Sequence, residues 1–125
     1  MVSDLIPDDV RRFVLTSIAS VPHLEALLLL RATPGDWPVA RVAERLYISE
    51  KAAERLLLDL CGSGLLACHD DIYQYHPETA AMRETVSDVA RTYSQNLVAM
   101  TNLIHSSVER KAHQFAAAFN FRKKP

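Results

Sequence analysis

Between Trp37 and Pro77 the chain compresses two short amphipathic helices and a tight hairpin into one closely punctuated stretch. Pro38 opens the first of these helices, with Val39, Val42, Ala43 and Leu46 on one face and Arg41, Glu44 and Arg45 turned away. Tyr47-Ile48-Ser49 connects it to the next, and Ser49 is placed as an N-cap. In that second helix Ala53, Leu56, Leu57 and Leu60 repeat the inward spacing, and Gly62-Ser63-Gly64 stops it. Leu65 to His69 and Ile72 to His76 then read as two short strands about an Asp70-Asp71 turn, with Pro77 ending the second. Helices this short cannot stand alone, so each must bury its apolar face against a neighbour.

Upstream, Pro7, Asp8 and Asp9 have the chemistry of a helix's first turn, with acids at the positive end of the dipole. Val10, Phe13, Val14 and Ile18 follow at helical spacing, and Ser20 and Pro22 restart the chain. Leu24 and Leu27 to Leu30 make the next helix apolar almost all round, which predicts the centre of a core or a subunit contact. Only three glycines and 7 % aromatic residues favour helices over a sheet sandwich.

The segment VARVAERLYISEKAAERLLLDLCGSGLL, within Trp37 to Pro77, resembles the winged helix-turn-helix of bacterial regulators such as the MarR, ArsR and PadR families. The resemblance implies a mainly α, α+β fold with a two-stranded wing. It also implies that the fourth helix enters the major groove of duplex DNA, as in transcription regulators. The residues expected to carry that contact are Arg41, Arg45, Ser49, Lys51, Ala52 and Arg55. With the leucines buried, Lys51 and Arg55 fall one turn apart on the outward side.

Residues 1–77 make up the expected winged-helix domain and residues 78–125 a C-terminal helical arm with a basic end. Met82, Val86, Val89, Tyr93, Leu97, Met100 and Ile104 form a nearly heptad stripe along one helix of roughly 28 residues, about 42 Å long. Ser106 and Glu109 read as a capping box and predict a break near His105, with Phe115 and Phe119 striping a last helix. By analogy with the families named, the stripe is expected to pair two copies of the chain. The other way to bury it is to fold back over the leucine-rich second helix.

Charge distribution opens a different function. The net charge is −1, yet residues 36–77 hold seven acids and four bases, while residues 78–125 hold four acids and seven bases. Glu50 and Glu54 flank the candidate contacts, the wing tip is Asp70-Asp71, and no lysine or arginine occurs between Leu56 and Met82. Such a wing repels a phosphate backbone, since neutralised phosphates supply most non-specific affinity. An acidic winged helix that docks a basic protein partner is therefore the competing expectation.

Cys68, His69, Asp70, Asp71 and His76 crowd one hairpin, but alternation puts Cys68 and His69 on opposite faces and no paired CxxC is present, so no metal site is expected. No phosphate loop or nucleophile motif occurs, so neither a cofactor nor an enzyme is expected. Cys61 and Cys68 are read as reduced small hydrophobes. The longest apolar run, Ala26 to Leu30, is far too short to cross a bilayer, and the N-terminus lacks the pattern of a signal peptide. A cytoplasmic location with no membrane partner is expected.

Overall fold

The computed structural model describes residues 6–108. It is mainly α with one small antiparallel sheet, in winged-helix order. Helices α1 (Asp8–Ser17) and α2 (Val21–Ala32) lead to a two-residue strand β1 (Trp37–Pro38), then α3 (Val39–Leu46) and α4 (Glu50–Gly62). Strands β2 (Leu66–His69) and β3 (Ile72–Tyr75) form the wing, α5 spans Ala80–Gln95, and α6 spans Leu97–Val108. No single helix among the described residues is long and apolar enough to cross a membrane.

Helix α2 is the centre. Ser20 caps it by accepting from the His23 N–H, and Pro22 sits in the first turn, where its missing amide costs nothing. Leu24, Ala26, Leu27 and Leu30 have no exposed surface, and α3, α4 and β3 all pack on this helix. Trp37 is buried beside its C-terminal end, and the indole N–H donates to the Thr33 carbonyl at 2.8 Å.

The sheet runs β1-β3-β2, with Trp37 opposite Tyr73 and Cys68 opposite Tyr73 on the other side. Sequence periodicity does not reveal β1, because a two-residue strand has no period of its own and exists only through its pairing with β3. At the wing tip both Asp70 (φ 50°) and Asp71 (φ 66°) are left-handed, as a two-residue turn matched to strand twist requires.

Helices α3 and α4 end in the same way. After α4 the Leu65 N–H donates to the Leu60 carbonyl and the Gly64 N–H to that of Cys61, at 3.1 and 3.0 Å. After α3 the Ile48 N–H donates to Ala43 and the Tyr47 N–H to Glu44, at 3.1 and 3.4 Å. Each is a Schellman pair around one left-handed residue. In α4 that residue is Gly64 (φ 78°); in α3 it is Tyr47 (φ 58°), whose side chain is 94 % exposed.

The arm departs from the single long helix expected. The chain breaks at Asn96 (φ −137°, ψ 59°), which ends α5, and helix then continues through Ser106 to Val108. The break therefore lies ten residues before Ser106, which is itself helical; Glu109, Phe115 and Phe119 lie outside the described residues. Asparagine favours such a position because its side chain competes for backbone hydrogen bonds.

The break lets the arm return to the body. Helix α5 packs on α1, the Arg31 guanidinium donates to Ser87 Oγ at 3.0 Å, and Val86, Val89, Met100 and Ile104 join the same core as α2 with no exposed surface. These four side chains of the expected pairing stripe are thus covered by their own chain. Met82 and Tyr93 are half-buried, and Leu97 alone is largely exposed among the described members. Position 77 divides the sequence, but one core runs across it.

The two helix ends predict opposite responses. Tyr47→Gly removes a left-handed strain without losing a packed side chain and should raise stability by about 1 kcal/mol. Gly64→Ala should lower it by about 1–2 kcal/mol, from the same strain and because a Cβ there would lie 2.7 Å from Glu78 Cδ. Denaturant titration of the two variants checks both signs.

Candidate nucleic-acid interface

Helix α4 is presented by its two ends. Ser49 Oγ accepts from the Ala52 N–H at 3.1 Å, fixing the first turn, while Ala53, Leu56, Leu57 and Leu60 anchor the inner face. That leaves Glu50, Lys51, Ala52, Glu54, Arg55, Leu58 and Asp59 exposed. The outward placement of Lys51 and Arg55 read from spacing is the one observed, and Ser49 and Ala52 are exposed as well.

Two of the clefts that border this face meet at Lys51, and they differ in charge. The first lies between the N-terminal turns of α2 and α4. It has a volume of about 550 Å³, and Lys51 and Arg55 line it together with Pro22, His23, Ile48 and Leu56. No carboxylate lines it. The second lies between α4 and the wing, at about 480 Å³, where Glu50, Glu54 and Asp71 face a single base, Lys51. Near the start of α4 charge is therefore divided, with Lys51 and Arg55 on the α2 side and Glu50 and Glu54 beside Lys51 on the wing side; Asp59, further along, faces α2 through His23. Among the described residues neither Lys51 nor Arg55 has an ion-pair partner.

Arg41 and Arg45 are placed differently. Their guanidinium carbons stand 4.4 and 5.8 Å from the centroid of the Trp37 ring, capping a side chain whose other contacts are buried. A cation over an indole face is held by the ring quadrupole. Both arginines remain exposed, so they combine a packing role with whatever charge they present.

One constellation gave no sequence signal. His23 Nε2 lies 2.8 Å from Asp59 Oδ2, and His23 Nδ1 lies 2.6 Å from Ser20 Oγ. With Nε2–H donating to the carboxylate, the Ser20 hydroxyl donates to Nδ1 and accepts from the His23 N–H, so both ring nitrogens and the hydroxyl are used. The clamp ties the start of α2 to the last turn of α4, and its Ser20 and His23 form a wall of the first cleft. It also engages Asp59, one of the acids on the outward face. Ser20 and His23 sit at capping distance in sequence, but Asp59 lies 36 residues away from His23 and nothing local links them.

In the wing, no three His, Cys, Asp or Glu side chains converge among the described residues. Cys68 instead neighbours Cys61 and Tyr73. Burial, then Cys68, pushes the Cys61 thiol up to about 11, and burial with a hydrogen bond to Cys68 raises the Tyr73 phenol as well.

The Cys61 shift predicts a pH dependence. In the unfolded chain the thiol ionises near 9.0, in the fold near 11. Its contribution to stability is therefore complete below pH 9 and is lost as pH rises towards 11. Denaturation midpoints should fall across that window, and fall less in Cys61→Ala. Equal slopes for the two proteins would remove the effect.

No protein-family model, curated protein or solved structure matches the chain.

Proposed function

We propose that the chain is a winged-helix regulator that binds duplex DNA as a dimer, with α4 as the groove-reading helix. The observation that carries this reading is the exposed pair Lys51 and Arg55, one turn apart, unpaired, on a capped helix that follows α3 through a tight turn. Resemblance of residues 37–77 to winged helix-turn-helix regulators supports it. Ser49 and Ala52, at the start of α4, complete the surface that would meet base edges and phosphates.

The acidic cleft dictates how such a complex is made. Glu50, Glu54 and Asp71 oppose phosphates on the wing side, so contact falls on the α2 side of α4 and the wing contributes little. Pairing of two chains would use what α6 leaves exposed, namely Leu97, Val98 and Val108. These are 54 %, 70 % and 45 % exposed, unlike the buried members of the stripe.

The same acidic cleft favours a second reading. A winged helix with three carboxylates around one lysine, and Leu58 and Tyr47 exposed nearby in sequence, suits a basic protein segment. Charge reversal separates the two. Lys51→Glu with Arg55→Glu should abolish DNA binding and leave a protein complex intact, whereas Glu50→Lys with Asp71→Lys should do the opposite.

Anisotropy of a labelled mixed-sequence duplex tests the leading reading. Two cations per chain in a dimer neutralise about four phosphates, so affinity should fall by about two orders of magnitude between 50 and 200 mM salt. No binding at the lower salt would sink it. For assembly, Leu97→Asp with Val98→Asp should give a folded monomer by light scattering. A dimer that persists in this variant would move the contact away from α6.

A further inference from the structure

The cleft between α2 and α4 has features that groove binding does not use. Its volume of about 550 Å³ falls within the range of small-molecule sites. Its apolar walls are Pro22, Ile48, Ala52 and Leu56, all aliphatic, and among the described residues the one ring on the lining is the polar imidazole of His23. Leu56 is 5 % exposed and so forms a floor that belongs to the core. Among the described residues the charged side chains on the lining are Lys51 and Arg55, with His23 held in place by Ser20 and Asp59. The nearest acids in sequence are spent elsewhere, Glu50 and Glu54 on the wing side and Asp59 on His23.

We propose that this cleft is a binding site for a small aliphatic carboxylate, its chain on the apolar floor and its head between Lys51 and Arg55. The chemistry selects that class. A bare inorganic anion would satisfy the two cations and leave the floor wet. A neutral alcohol would cover the floor and leave two unpaired cations beside it. A carboxylate with a short alkyl chain does both, and Ser49 Oγ, which accepts from Ala52, still has its O–H to donate to the head. The clamp through His23 fixes one wall, so the site is largely formed before the ligand arrives.

The site overlaps Lys51 and Arg55, so a bound carboxylate would compete with phosphates for them. It does not depend on DNA binding, because the ligand is read on the protein alone. A failed titration leaves the DNA reading standing, and a failed DNA experiment leaves the titration interpretable.

Amide spectra of the full chain, titrated with octanoate to about 10 mM, test the proposal directly. Saturable shifts are expected at His23, Ile48, Ala52 and Leu56, with a dissociation constant on the order of 1 mM. Acetate and 1,2-octanediol, which carry only the head or only the chain, should bind at least about tenfold more weakly. Lys51→Gln with Arg55→Gln, two exposed positions, should weaken octanoate by a similar factor of about ten while the rest of the spectrum is unchanged. The proposal is overturned if no shift saturates at these residues. It is equally overturned if the diol matches octanoate, if the double variant binds as well as the parent, or if the shifts map to α6 instead.

Discussion

Leu24, Ala26, Leu27 and Leu30 of α2 have no exposed surface, and the rest of the molecule is arranged to cover them. A helix of twelve residues with four fully buried apolar side chains, and Leu28 and Leu29 half-buried beside them, belongs to the core rather than the surface. Helices α3 and α4 take one side, strand β3 another, and the arm closes the body from the α1 side through Val86 and Val89. Each buried leucine contributes roughly 1.5–3 kcal/mol by removal of apolar surface from water. The position of α4, and so of Lys51 and Arg55 on it, follows mainly from this demand, with the Asp59–His23 contact as a secondary tie.

What α4 then offers is an asymmetric edge. Lys51 and Arg55 border an aliphatic cleft on which no carboxylate is found among the described residues, and Glu50 and Glu54 border the wing. Anything anionic that approaches α4 is steered towards α2, and anything cationic towards the hairpin. The His23 clamp sharpens the division, since it occupies Asp59 and pins the α2 terminus against α4.

Much of this was legible in the sequence where the controlling forces are local. The periodicity of Val39 to Leu60, the cap at Ser49, the stop at Gly62-Ser63-Gly64 and the hairpin around Asp70-Asp71 all appear where spacing and turn chemistry put them. The outward side of Lys51 and Arg55 followed from the buried side of the leucines. Less visible was anything that needs a distant partner. Strand β1 exists through Tyr73 and Ile72, the clamp through Asp59, and the stacking of Arg41 and Arg45 through Trp37. The arm shows the same limit. Its stripe from Met82 to Ile104 reads equally well as a coiled seam or as a returning face, and only the break at Asn96 decides which side of each helix meets the body.

That return has a consequence for how the chain comes to be folded during synthesis. Val10 and Val14 of α1 share a core with Val86 and Val89 of α5, about 70 positions later. A ribosome adding 5–20 residues per second needs roughly 4–14 s to supply those partners. Over that interval the emerging helices carry apolar faces that nothing downstream yet covers, and contacts closed across so long a loop form late. The winged portion is therefore not a unit that can be completed first and decorated afterwards. Its last structural layer is delivered by the arm.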